Sequence, residues 1–253
     1  MGGLALSEKG KEMEVIPTIA DLWLHITLDQ IILNWPNGGI VSGVLFQKGL
    51  FDSSPEKNTI DSVFNKFGRT IRRNISIGTT DADRNLFLPV DQQLSSSNAA
   101  SWIMASSAIP GCFPYQTINY TNYIDGGSLY NIDFLEPINF CKRKGFEEND
   151  IIIDAIFDDA FQSFYVNCTN LTSMGMNQRA TVLMQKMKKT YMLNDTFYLH
   201  PKIDFRYFVI PDQDFLNVLG IVHLDTNPKH LQAAYQLGYN DSLKEIKKKM
   251  NKN

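Results

Sequence analysis

One run of seven residues limits the fold more than any other stretch. Ile151-Ile152-Ile153-Asp154-Ala155-Ile156-Phe157 is apolar but for one carboxylate, and Asp150 and Asp158-Asp159 bound it. Its length suits a strand, and a nearly continuous apolar run predicts a strand buried on both faces of a parallel sheet. Parallel neighbours require crossover connections. Residues 133–144 suit a crossover helix, a helical stretch lies near 173–193, a strand covers Phe205–Ile210, and a helix covers about 229–249. Strands alternating with helices predict an α/β fold with a central, mostly parallel sheet flanked by helices.

The N-terminal half is less regular. Gly2-Gly3-Leu4-Ala5-Leu6 opens the chain in a small-residue, apolar segment. Val15, Ile16, Ile19, Trp23 and Ile26 recur at near-helical spacing, with Pro17 tolerable in a first turn, so one short helix and then a longer one are expected. Pro36, Gly38, Gly39, Gly43, Gly49 and Pro55 break up residues 34–58, which read as a long loop with brief turns. Ile75 and Ile77, running into Thr79-Thr80-Asp81-Ala82-Asp83, read as a strand ending at a polar edge, beside a second short strand over Leu86–Val90. Ser97-Asn98 can cap a helix through Ala99, Ile103 and Ser107 that Pro110-Gly111 terminates, and a strand ending at Tyr123-Ile124-Asp125 follows.

Composition narrows the function classes. With 253 residues, 43% hydrophobic, a single large domain over 1–253 is expected. A net charge of -3 argues against nucleic acid as a partner. Cys112, Cys141 and Cys168 make an odd total with no CxxC, which fits neither a disulfide framework nor a zinc site and predicts a reducing, cytoplasmic setting. No apolar run approaches membrane-spanning length. The Asn-x-Ser/Thr triplets at Asn74 and Asn194 read as chance, because no signal pattern opens the chain.

The chemistry lies in the middle. Ala105-Ser106-Ser107-Ala108-Ile109-Pro110-Gly111-Cys112-Phe113-Pro114 is followed about ten residues on by Asp125-Gly126-Gly127, and preceded by Gly49-Leu50-Phe51-Asp52-Ser53-Ser54-Pro55 and Ile77-Gly78-Thr79-Thr80-Asp81. In content, order and spacing these segments resemble the patatin-like phospholipase family, best over about 40–156, with 157–253 read as the C-terminal part of the same domain. The resemblance implies an architecture related to the α/β-hydrolases and a lipid acyl hydrolase of phospholipase A type. It would use a Ser-Asp dyad, with serine in a Gly-x-Ser-x-Gly elbow and Asp125 as the base. Hydroxyls are weak nucleophiles at neutral pH, and a carboxylate at a strand end can accept the proton if held at hydrogen-bond distance. Gly126 and Gly127 would support the motif by close backbone approach or positive φ. Phospholipid or another acyl-ester lipid is the implied partner, with no cofactor and no metal.

The departures from the family pattern carry equal weight. No Gly-x-Ser-x-Gly occurs; Gly39-Ile40-Val41-Ser42-Gly43 places serine one position late. A Gly-rich oxyanion loop is missing as well, and its donors commonly contribute a hundredfold or more. Gly2–Leu6 looks like the start of the helix after the elbow, so the expectation is an N-terminally incomplete domain lacking its first strands, with no nucleophile and no ester hydrolysis of its own. A truncated active enzyme and a non-catalytic lipid-binding or regulatory form both remain open.

Other residues attract blander readings. Ser106 and Ser107 at a helix end are expected to bond backbone groups, and Ser128 reads as a turn residue. His25, His200, His223 and His230 receive no role. Asp154, Asp158 and Asp159 read as solvated or capping carboxylates without a second ligand cluster. Met174, Met176, Met184, Met187 and Met192 read as core or groove-facing apolar residues. Leu231, Tyr235, Tyr239, Leu243, Ile246 and Met250 form an apolar helical stripe beside Lys244, Lys247, Lys248, Lys249 and Lys252. This helix is expected to dock on the domain, with peripheral membrane contact through its lysines as the alternative.

Overall fold

The computed structural model describes residues 2–91, 94–158, 168–169, 171–211 and 225–251, in two compact units, Met1–Asn131 and Ile132–Asn253.

The first unit opens with 3-10 turns at Gly2–Leu6 and Glu12–Glu14. Then come α1 (Ile16–His25, with Pro17 in its first turn), α2 (Gly39–Phe46) and α3 (Ser54–Lys66). The loop expected over residues 34–58 is therefore largely helical. The misleading signal was glycine: Gly38 and Gly39 take positive φ at the start of α2, and Gly43 lies inside the helix, where a Cβ would come 2.4 Å from the Leu50 carbonyl oxygen. There glycine permits close packing and does not interrupt the helix.

The sheet of this unit has four strands, β1 (Ile77–Asp81), β2 (Leu86–Val90), β3 (Gln116–Ile118) and β4 (Thr121–Asp125), in the order β2-β1-β4-β3. Every pairing is antiparallel. Both hairpins follow from turn chemistry. At the β1–β2 corner Asp81 Oδ1 accepts from the backbone N–H groups of Asp83 and Arg84, at 3.1 and 2.9 Å, and Asn85 takes positive φ. At the β3–β4 corner Asn119 and Tyr120 have φ of 49° and 64°, as a two-residue type I′ turn requires. Helix α4 (Ala99–Ser106) covers the sheet: Trp102 and Ala105 pack on Ile77, Val90 and Tyr123, and the Trp102 and Tyr123 rings meet edge to face at 5.0 Å. A second cluster gathers Leu6, Val15, Phe64 and Ala99.

In the second unit, β5 (Ile152–Ile156) and β6 (Asp204–Val209) pair in parallel, with α5 (Leu135–Arg143), α6 (Ser173–Leu199) and α7 (Pro228–Met250). Phe134, Ile138, Ile151, Ala155, Phe157 and Ile203 form its core.

The α/β class stands, with one correction. The described residues hold an antiparallel four-stranded sheet and a parallel pair, where one central, mostly parallel sheet was expected. Periodicity places strands but not their partners: two strands sharing a tight turn must run antiparallel, and the turn residues at 82–85 and 119–120 decide this. Strand β5 is also not buried on both faces, since Ile152 and Ile156 are each 55% exposed. Met176, Met184 and Met187 on α6 are exposed as well. Helix α7 packs against β6, with Tyr235, Tyr239, Ile246 and Met250 of its stripe left exposed.

Candidate active site

Asp125 ends β4, a strand paired on both sides, and sits opposite Thr79 of β1. Both its backbone and its side chain are held. Its backbone N–H donates to the Ala108 carbonyl at 3.0 Å, its own carbonyl accepts from the Thr80 hydroxyl at 3.1 Å, and its Oδ1 accepts from the Gly127 N–H at 2.6 Å. The side chain thus caps the 3-10 turn Gly126–Ser128, in which the N–H groups of Leu129 and Tyr130 both return to the Gly126 carbonyl.

The two glycines act by proximity. A Cβ on Gly126 would lie 2.5 Å from the Gly78 carbonyl oxygen and 3.1 Å from the Thr79 nitrogen; one on Gly127 would lie 3.0 Å from Asn131 Oδ1 and 3.1 Å from Asp125 Oδ1. Neither takes positive φ. Of the two uses expected for these glycines, close approach is the one the backbone makes.

Three segments that are far apart in sequence come together around this strand end. Leu50 and Phe51 donate backbone N–H bonds to Gly111 and Cys112, each at 3.1 Å, and a Cβ on Gly49 would strike the Phe113–Pro114 backbone. Residues 49–51 therefore lie on 111–114, while Ala108, three residues before Gly111, holds Asp125. Burial pushes the Cys112 thiol up, which disfavours its reactive thiolate.

A contact that the sequence did not announce lies beside this assembly. Ser107 Oγ donates to Glu56 Oε1 at 2.8 Å and is also 3.3 Å from the Met104 carbonyl. The backbone bond expected of a helix-end serine is present, and Glu56 is the unexpected partner. Burial pushes the Glu56 carboxyl above the ordinary glutamate range, against the opposing effect of the Ser107 bond, and its Oε2 is buried with no partner among the described residues. In the sequence Glu56 reads only as an acid in the first turn of α3, where the helix dipole favours negative charge.

Over residues 5–138 the chain matches the family model described as patatin-like phospholipase. The chain belongs to the patatin-like phospholipase family. The match begins well before residue 40 and takes in the N-terminal helices, so these belong to the family's pattern as much as the segments around Asp125 do. No curated protein matches the chain. That family is one of lipid acyl hydrolases, whose substrates are lipids.

The other candidates fall as follows. Ser42 is buried within α2, and Ser128 sits in the turn after Asp125. His25 pairs with Asp21 along α1, His200 Nδ1 lies 2.8 Å from Glu148 Oε1, and His230 bonds Asp225; His223 lies outside the described residues. Asp154 pairs with Arg206 and Asp158 stands 4.0 Å from Lys189, while Asp159 is outside the described residues. Among the described residues no group of three or more His, Cys, Asp or Glu side chains could hold a metal, and no helix is long and apolar enough to cross a membrane.

Proposed function

We propose that this chain carries the base half of a Ser-Asp lipid acyl hydrolase, with Asp125 accepting the proton of a serine hydroxyl presented in a Gly-x-Ser-x-Gly elbow. The single observation behind this reading is the mounting of Asp125: a carboxylate at a strand end, oriented by Gly127 N–H and held by Ala108 and Thr80. A base fixed in this way loses little freedom when a hydroxyl arrives at hydrogen-bond distance. The hydroxyl attacks the acyl carbon and Asp125 takes its proton; the tetrahedral intermediate collapses with cleavage of the ester C–O bond, Asp125 returning that proton to the departing lysolipid oxygen. The same carboxylate then takes a proton from the water that attacks the acyl-enzyme and returns it to the serine oxygen as the fatty acid leaves. The reaction is phospholipase A-type cleavage of an acyl-ester lipid without metal or cofactor.

These 253 residues contain no Gly-x-Ser-x-Gly and no Gly-rich oxyanion loop. That favours a second reading, in which the chain by itself binds lipid without cleaving it in a cytoplasmic or peripheral-membrane role. Hydrolysis of a short-chain chromogenic ester by this chain, and by the chain extended at its N-terminus with a strand ending in Gly-x-Ser-x-Gly, separates the two. Activity confined to the extended form and lost with Asp125→Asn supports the dyad. Activity in the extended form that survives Asp125→Asn removes Asp125 from the mechanism.

A further inference from the structure

Helix α2 is built inside out. Its sequence Gly-Ile-Val-Ser-Gly-Val-Leu-Phe buries only Ser42 and Gly43, while Ile40, Val41, Val44, Leu45 and Phe46 are between 52% and 78% exposed. A helix on the surface of a globular unit ordinarily turns its apolar face to the core. Here the small residues face inward because Gly43 lies against the Leu50 carbonyl, where no side chain fits, and the large apolar ones are left on the outer arc. Scattered exposed apolar residues need no explanation, but five on one short helix form the kind of continuous patch that marks an interaction site.

The surroundings identify the occupant by charge and by size. From Gln30 to Phe51 there is no carboxylate, and Lys48 is the one charged residue. Asp52, the next acid, is engaged at its Oδ1 by the Ser54 N–H. Lys48 is exposed, with its ammonium 4.4 Å from the centre of the Tyr115 ring, and the Trp35 indole N–H donates to the Gly49 carbonyl at 2.9 Å. Apolar side chains with tryptophan, tyrosine and lysine close by in the fold and no carboxylate between residues 30 and 51 match the layered chemistry of a phospholipid surface, apolar below and anionic at the headgroups. A helix of eight residues is about 12 Å long and about 10 Å across, an outline of roughly 120 Å², small against the roughly 800 Å² per partner that a stable protein interface buries. Insertion into an acyl boundary needs only the helix face itself.

We infer that the outer face of α2, with Lys48 at its end, is the surface by which this chain docks on a phospholipid membrane. The helix is continuous with the candidate site: Gly43 packs on Leu50, Leu50 and Phe51 are bonded to Gly111 and Cys112, and Ala108 of that segment holds Asp125. These contacts tie the helix to the segment that holds the proposed base. The inference rests on the proposed function for its choice of a lipid surface, but docking itself requires no catalysis.

The test is co-sedimentation of the full chain with vesicles of phosphatidylcholine, alone or mixed with phosphatidylserine. It compares the wild type, the double substitution Val44→Asn with Leu45→Asn, Lys48→Gln, Asp125→Asn, and the triple change Lys247→Gln, Lys248→Gln and Lys249→Gln. The wild type should bind. The double substitution should weaken binding at least about tenfold, since each side chain forfeits its apolar transfer. Lys48→Gln should weaken it about fivefold on the anionic vesicles alone, and Asp125→Asn should change nothing. Because the altered side chains are exposed, circular dichroism and the melting temperature should stay at wild-type values. Phe46→Trp gives a second measurement, with fluorescence shifting to the blue on vesicle addition. Equal binding by wild type and double substitution, or loss only in the lysine triple change, overturns the inference. So does a wild-type dimer in sedimentation velocity that the double substitution dissociates, since α2 would then contact a second copy. Vesicle binding lost with α2 while no extended form hydrolyses ester would overturn the proposed function and leave the docking surface standing.

Discussion

Gly126→Ala should destabilise the first unit far more than Gly127→Ala, and the difference follows from what each new methyl would meet. At 126 the methyl carbon would stand 2.5 Å from the Gly78 carbonyl oxygen and 2.7 Å from its carbon, where ordinary contact begins at 3.4 Å. Both atoms are backbone of β1, paired on its two sides, so relief requires the turn and the strand to separate by about 0.9 Å. That movement strains the Thr80–Asp125 and Asp125–Ala108 bonds at 3.1 and 3.0 Å. Overpacking of this kind costs about 1–3 kcal/mol and each weakened bond about 1 kcal/mol, so a loss of about 2–5 kcal/mol is expected. At 127 the nearest atoms are side-chain ends, Asn131 Oδ1 and Asp125 Oδ1, at 3.0 and 3.1 Å. They can move, and the lost glycine entropy of the unfolded chain favours alanine by about 0.4–1 kcal/mol. The net change should stay within about 1 kcal/mol. Urea denaturation followed by tryptophan fluorescence measures both. Equal losses at the two positions would mean that the motif is only a turn and that contact between Gly126 and β1 does not fix the strand end.

Three further outcomes are expected. Asp125→Asn should leave stability within about 1 kcal/mol of wild type, because the amide oxygen can still accept from Gly127 N–H, while ester hydrolysis by a serine-containing extended form falls about a hundredfold or more; a large stability loss would mark Asp125 as structural. Glu56 has its carboxyl raised by burial, so its favourable contribution to stability is complete below the unfolded value near 4.5 and is lost as pH rises through the higher folded value. Glu56→Gln should flatten that part of the stability profile, and a slope identical to wild type would refute the assignment. Trp102 is 1% exposed with its indole N–H buried and unpartnered among the described residues, so Trp102→Phe should cost less than about 1.5 kcal/mol and Trp102→Ala about 3–5 kcal/mol by thermal denaturation; equal costs would show that the indole N–H is satisfied.

What could be read from the sequence was what local chemistry decides. The helix over Ala99–Ser106 ends where Pro110-Gly111 forbids its continuation, β1 and β2 meet across a polar turn, and Asp125 sits at a strand end because Gly126-Gly127 stops the pattern there. What could not be read was anything set by a partner distant in the chain. Glycine has one signature in sequence and two uses in structure, and only the position of Leu50 shows that Gly43 belongs to a helix. An apolar run such as Ile152–Ile156 states that a strand is favoured but not how many of its faces find neighbours, and the described residues give β5 only β6.

The same limit explains why Glu56 was invisible and α2 was misread. Ser107 and Glu56 are 51 residues apart, so their bond exists only once α3 and α4 are packed. For α2, the glycines at 38, 39 and 43 read as loop signals, and hydropathy alone does not say which residues of such a segment face outward. Burial supplies the missing fact: the small residues Ser42 and Gly43 are inside and the large apolar ones outside. Exposed apolar patches of this kind mark interaction sites. The occupant proposed for these five aliphatic and aromatic side chains, with one lysine and no carboxylate between residues 30 and 51, is a phospholipid surface, and the vesicle experiment on Val44 and Leu45 therefore bears on both the docking surface and the origin of this helix's inverted pattern.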